Sequence, residues 1–196
     1  MSKLEEIKLI TLGSASVGKS SLIIQYTENK FTESYLSTLG VDYKQKIIKL
    51  KNGKDIHLRI YDTAGQERFK SISSGFIKKA DGVVLVYDIS NKDSFVSING
   101  WIENIREIGK ENMPIILVGN KCDLPDEIRK VSKKEGEDKA KEFRIPFYET
   151  SCKDGKNVKE SIEELVEDIS IKKKTNPTKD IKISKTKTKK NVVDSK

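Results

Sequence analysis

Ile7-Lys8-Leu9-Ile10-Thr11-Leu12 runs directly into Gly13-Ser14-Ala15-Ser16-Val17-Gly18-Lys19-Ser20, and a stretch with helical spacing, Ser20–Glu28, follows. A compact apolar run that ends in a glycine-rich turn reads as a buried strand handing over to a helix. The turn has the spacing G-x-x-x-x-G-K-[ST], in which the glycines let successive backbone N–H groups point at phosphate oxygens. The helix adds its positive N-terminal end. Lys19 can reach the β- and γ-phosphates of a nucleotide, and the Ser20 hydroxyl can ligate Mg²⁺. An ordinary strand–helix turn would also carry glycine, but the position after a strand and before a helix favours phosphate binding. Alone, this loop implies a nucleoside triphosphate and no particular base.

Working outward, the same kind of run recurs. Val41–Leu50 and Ile56–Tyr61 flank Lys51-Asn52-Gly53-Lys54, whose Asn-Gly pair signals a hairpin. Val83–Tyr87 and Ile115–Val118 are rich in β-branched residues, as central parallel strands are, and Ile145–Tyr148 reads as a further short strand. Between them, Ser94–Ile108, Ser132–Phe143 and Val158–Ile171 have helical spacing, with Ile98, Trp101, Ile102, Ile105 and Ile108 on one face. Strands alternating with helices predict an α/β layer structure, and the single hairpin makes the sheet mixed. In such sheets a ligand sits beyond the carboxyl ends of the strands, where each chemistry-bearing motif falls.

Four further pieces lie at those ends. Asp62-Thr63-Ala64-Gly65-Gln66-Glu67 closes the third strand. Asp62 is placed to hold Mg²⁺ through water, since Mg²⁺ keeps part of its hydration shell. Gly65 lets a backbone N–H approach the γ-phosphate, and Gln66 can orient the attacking water. Thr38 is by itself a loop threonine; its spacing from the other pieces makes it a candidate to complete the Mg²⁺ shell. Asn120-Lys121-Cys122-Asp123 follows the fifth strand, and the Asp123 carboxylate can accept from the N1–H and 2-amino group of guanine. Adenine lacks both donors, so it would leave Asp123 desolvated and unpaired, a mismatch that can reach about 10⁴-fold in discrimination. Glu149-Thr150-Ser151-Cys152-Lys153 closes the sixth strand with N–H groups placed for guanine O6, and Phe31 is placed to stack on the base edge. Together the motifs imply binding of GTP and GDP with Mg²⁺.

Composition sets the bounds. The chain has 196 residues, enough for one domain with a buried core, and 35% of them are charged. No apolar run approaches the roughly 18 residues of a membrane span. Met1–Lys8 is too charged for a secretory signal, and Met1-Ser2 offers no glycine for myristoylation. Two cysteines, Cys122 and Cys152, make no disulfide framework, so a reducing cytoplasmic compartment is expected. The net charge of +8 resides at the C-terminus: residues 172–196 hold ten of the 38 basic and two of the 30 acidic residues, leaving 28 of each elsewhere. The expected organisation is therefore a folded domain over 1–171 and a lysine-rich, disordered tail over 172–196.

Residues 4–171 resemble the Ras superfamily of small GTPases, and within it the Rab family. The signatures are Thr38-Leu39-Gly40-Val41-Asp42-Tyr43, Tyr61-Asp62-Thr63-Ala64-Gly65-Gln66-Glu67-Arg68-Phe69, Asp81-Gly82-Val83-Val84-Leu85-Val86-Tyr87-Asp88 and Val118-Gly119-Asn120-Lys121-Cys122-Asp123-Leu124. The resemblance implies the three-layer P-loop NTPase fold: a six-stranded, mostly parallel sheet with one antiparallel strand and five helices over its two faces. It implies a slow GTP hydrolase that switches between GTP and GDP forms in vesicle or membrane trafficking. Gln66 and Lys19 are its implied catalytic residues, and Ser20, Thr38 and Asp62 its Mg²⁺ ligands. The implied nucleotide contacts are Ser16, Val17, Gly18, Lys19, Ser20, Ser21, Phe31, Tyr35, Thr38, Gly65, Asn120, Lys121, Asp123, Ser151, Cys152 and Lys153. Switch segments around Phe31–Asp42 and Asp62–Lys79 would order on the γ-phosphate and meet an exchange factor, a GTPase-activating protein and effectors.

Some positions depart from the family pattern. The exposed aromatic triad of Rabs becomes Tyr43, Tyr61 and Phe76, which bears on effector choice. Cys152 stands where alanine is usual, with its backbone N–H unchanged. No cysteine follows Cys152, so no prenylation is expected and attachment to endomembranes would be peripheral. The lysine tail has three readings: a solvated extension, a weak contact with anionic membrane worth at most about 1 kcal/mol per lysine, or nuclear or nucleic-acid attraction through Lys185–Lys190. No aromatics interleave these lysines, so no specific nucleic acid is expected. His57 reads as an exposed strand residue and Arg68 as a switch residue rather than an arginine finger. With no finger in cis, intrinsic hydrolysis is expected on the order of 10⁻⁴–10⁻² s⁻¹. A nucleotide-holding adaptor that never cycles is the rival from another class, and an ATPase conflicts with Asp123.

Overall fold

The computed structural model describes residues 4–32, 41–63 and 70–175. Among them, six strands form one sheet: β1 (Glu5–Leu12), β2 (Val41–Lys49), β3 (Asp55–Thr63), β4 (Gly82–Asp88), β5 (Ile115–Asn120) and β6 (Phe147–Thr150), in the order β2-β3-β1-β4-β5-β6. Only β2 runs antiparallel to its neighbour, with Tyr43 opposite Tyr61 and Lys49 opposite Asp55 across the Asn52-Gly53 turn. All other pairs are parallel.

The helices are α1 (Lys19–Glu28), α2 (Lys70–Ile77), α3 (Lys92–Val96), α4 (Ile98–Ile108), α5 (Lys133–Phe143) and α6 (Val158–Thr175). Alternate residues of the inner strands feed two cores. Ile7 and Leu9 of β1, Val84 and Val86 of β4, and Ile116 and Val118 of β5 pack against Leu22 and Ile23 of α1 and Ile162, Leu165 and Ile169 of α6. Ile10, Leu12, Val83, Leu85, Ile115 and Leu117 point the other way, against Ile77 of α2, Phe95 of α3, and Trp101, Ile102 and Ile105 of α4. Burial on both faces is why β4 and β5 carry continuous apolar runs rather than alternating ones. Each such side chain contributes about 1.5–3 kcal/mol on burial.

Three expectations shift. The helix expected over Ser94–Ile108 begins earlier and is interrupted at Ser97, where α3 gives way to α4; counted as one broken helix, the five implied helices are present. Its start is set by Asn91, whose side chain accepts from the Asp93 and Ser94 N–H groups. The last strand lies at Phe147–Thr150 instead of Ile145–Tyr148. Pro146 has no N–H to give the ladder, so only its carbonyl joins the sheet, accepting from Leu117 N at 2.9 Å. Finally, α6 runs four residues past Ile171. Lys172 pairs with Asp168 one turn back at 2.9 Å, and Lys173 reaches Asp81 and the Glu6 carbonyl, both at 3.1 Å. Cations in a last turn also suit the helix dipole. Residues 176–196 lie outside the described ones. Among those described, no helix is long and apolar enough to cross a membrane.

Candidate functional site

The loop from Gly13 to Gly18 leaves the carboxyl end of β1, the central strand with partners on either side, and enters α1. Ser16 and Gly18 take left-handed backbone angles, φ 63° and 97°. Gly18 is the N-cap of α1, so it has no side chain to offer the first-turn N–H groups. By contrast, α5 starts on a capping box in which Ser132 and Glu135 satisfy each other's N–H groups. An α1 start without a side-chain cap suits an anion.

Lys19 lies over this loop, 5% exposed, its ammonium donating to the carbonyls of Gly13 at 3.1 Å and Ser14 at 2.8 Å. Burial holds its pKa down at about 8, against a smaller upward pull from the Asp62 carboxylate. A buried cation of this kind fits a phosphate group. Beside it, Ser20 Oγ donates to Asp62 Oδ2 at 2.5 Å, and Asp62, 8% exposed, also faces Thr11 Oγ1 at 3.5 Å. Thr63 is anchored on the Thr11 carbonyl at 2.7 Å, which fixes the end of β3 against β1. The paired hydroxyl and carboxylate are hard oxygen donors, the type Mg²⁺ takes.

At the end of β5, Asn120 is 1% exposed and its carboxamide bonds to two other segments of the protein. Its Nδ2 donates to the Val17 carbonyl at 2.9 Å and its Oδ1 accepts from Thr150 Oγ1 at 3.0 Å. Lys121 has φ 70° and its ammonium donates to Asp88 Oδ2 at 2.5 Å. Asp123 is exposed in the loop that follows β5. Ser151 is buried and its N–H donates to the Lys156 carbonyl at 3.1 Å, so that N–H is not available for guanine O6. Cys152 is buried, Lys153 exposed, and Phe31, two residues beyond the left-handed C-cap Asn29, is 38% exposed. Val17 is buried, Ser16 exposed, and Ser21 half-buried on the first turn of α1. Tyr35, Thr38, Gly65 and Gln66 lie outside the described residues.

Asp88 and Thr150 had no role in the sequence reading, yet they orient Lys121 and Asn120. The register that sets Asp88 beside Asn120 was the available signal: a carboxylate ending an apolar strand at the ligand edge. Ser97 is a further surprise, since its hydroxyl lies 2.9 Å from that of Ser14 and joins the α3–α4 break to the phosphate loop. The aromatic residues Tyr43, Tyr61 and Phe76 form a chain with ring centroids 6.0 and 5.2 Å apart, and Arg59 lies over Tyr43. His57 is half-buried on β3 and pairs with Gln45 on β2.

The family model for the Ras family matches residues 8–171. The chain is 44% identical over 165 residues to human Ras-related protein Rab-8B, covering 84% of this chain and 79% of that one. It is 42% identical over 165 residues to rat Ras-related protein Rab-13, covering 84% and 80%. To GTP-binding protein yptV2 of Volvox carteri it is 43% identical over 163 residues, covering 83% and 75%. With the strand order, the phosphate loop and these relatives in agreement, the chain belongs to the Ras family and is a Rab-type small GTPase, an enzyme that hydrolyses GTP.

Proposed function

We propose that this GTPase is a Mg²⁺-dependent switch acting peripherally in vesicle or membrane trafficking. The observation that supports the site assignment is the meeting of Ser20 with Asp62 beside the buried Lys19. Lys19 and the first N–H groups of α1 bind the β- and γ-phosphates, and Ser20, Asp62 and Thr38 would hold Mg²⁺. When bound, the ion neutralises charge developing on the phosphates. Gln66 orients the attacking water. Asp123 accepts from guanine, with Lys121 and the Cys152 and Lys153 N–H groups around the base and Phe31 at its edge. Exchange factor, activating protein and effectors read the switch segments, the last through Tyr43, Tyr61 and Phe76. The lysine-rich segment adds a weak contact with anionic membrane, supported by its concentrated charge.

Single-turnover hydrolysis in the Gln66→Leu variant tests the assignment. The expected result is GTP turnover slowed at least about tenfold with GDP and GTP affinity unchanged. Equal single-turnover rates would remove Gln66 from this role.

A further inference from the structure

Three segments distant in the chain converge on one side chain. The Asn120 carboxamide touches the phosphate loop through the Val17 carbonyl, the end of β6 through Thr150 Oγ1, and the loop that follows β6 through the Cys152 thiol. Cys152 Sγ lies 3.3 Å from Asn120 Oδ1 and 4.0 Å from the Gly18 carbonyl. A thiol has one proton, so the shorter contact is its hydrogen bond and the Gly18 carbonyl is a neighbour.

We propose that the Cys152 side chain is a positioning residue for guanine nucleotide binding: its thiol holds the Asn120 carboxamide in the orientation that ties the base-binding loops to the phosphate loop, and thereby slows nucleotide release. This rests on the nucleotide-binding assignment above. Three observations support it. First, a carboxamide oxygen offers two lone-pair sites, and here Thr150 fills one and Cys152 the other. Flipping the amide would set its carbonyl against that of Val17 and its N–H₂ against two donors, so both donors oppose the flip. Second, Cys152 is 4% exposed, and burial pushes its pKa up to about 12. The thiol therefore keeps its proton and remains a donor at neutral pH. Third, Asn120 and Cys152 are both closed off from solvent. Water cannot replace a lost donor at Oδ1 without opening the junction. An alanine at 152 would keep the backbone N–H and lose the contact to Asn120 together with the packed volume of the sulfur.

The test is release of fluorescent GDP from the full chain at fixed Mg²⁺, comparing the native protein with Cys152→Ala and Cys152→Ser. Loss of one buried hydrogen bond at the junction is expected to speed release about three- to tenfold in the alanine variant. Serine restores a donor while filling less space than cysteine, so release within about twofold of native is expected if the hydrogen bond is what matters. An alanine variant that releases GDP at the native rate overturns the proposal. So does a serine variant that is as fast as alanine, because then only the volume of the sulfur counts. A native chain that fails to retain GDP at all would instead overturn the nucleotide-binding assignment, which the comparison of variants leaves separable.

Discussion

Alanine at Gly18 is the most direct probe of how the site is held together. A Cβ there would stand 2.2 Å from Asn120 Nδ2, against ordinary contact at 3.4–4 Å, so the carboxamide would have to retreat by about an ångström. That retreat breaks the 2.9 Å bond to the Val17 carbonyl. Gly18 also has φ 97°, which an L-residue adopts at a cost of about 1–2 kcal/mol. Losing the bond and leaving buried polar groups without partners adds about 2–3 kcal/mol, for a total of about 3–5 kcal/mol. Gly53, in the β2–β3 turn, provides the control: its φ is 81°, yet a Cβ there meets nothing within 4 Å. Alanine at 53 therefore carries the backbone term alone, about 1–2 kcal/mol. The entropy that alanine removes from the unfolded chain is the same at both positions and cancels in the comparison. Urea unfolding of the nucleotide-stripped proteins at neutral pH measures both. Gly18→Ala is expected to cost about 2–3 kcal/mol more than Gly53→Ala, and to release GDP faster. Equal costs would refute the junction at Asn120 as described.

Two further perturbations address the scaffold. The Asp81 carboxylate, 12% exposed, sits at the start of β4 with the Lys110 ammonium at 2.8 Å, the Lys8 N–H at 2.9 Å and the Lys173 ammonium at 3.1 Å. Burial pushes its pKa up, but these three donors together outweigh it and leave it below the usual value. A carboxylate with a depressed folded pKa contributes stability above its unfolded pKa and loses it as pH falls through the folded one. Asp81→Asn is expected to cost about 1–3 kcal/mol at pH 7 in urea unfolding, with the gap to the native protein closing as pH drops below roughly 4; a gap constant with pH would exclude the ion cluster as its cause. Arg129 forks onto Glu149 at 2.5 and 3.3 Å and also donates to the Val131 carbonyl at 3.2 Å, joining the approach to α5 to β6. Arg129→Met strands the Glu149 charge and is expected to cost about 2–4 kcal/mol in thermal or urea unfolding, most of it recovered by adding Glu149→Gln; an uncorrected double variant would show that the pair is not the source.

The sequence by itself determined the strand–loop–helix at residues 7–28, the hairpin at Asn52-Gly53, the doubly buried strands β4 and β5, and the motifs at the strand ends proposed to face the nucleotide. These are local properties. A strand covered on both faces must be apolar throughout, a turn of positive φ wants glycine, and a phosphate loop needs its glycines and lysine at fixed spacing. Only the tertiary structure decided what holds those motifs in register. The motif implied Asn120 as a nucleotide contact, and only the fold showed that its side chain also ties Val17 to Thr150, 30 residues further along. Lys121 is turned by Asp88, 33 residues away, and the end of α6 is fixed by Asp81 and by Glu6, 167 residues from its partner Lys173. Such contacts have no periodicity to read, because they exist only once parallel strands have brought their ends together. The early break at Ser97 and the late start of β6 belong to the same class. Spacing showed a helix and a strand, while a proline at the sheet edge decided where the strand began.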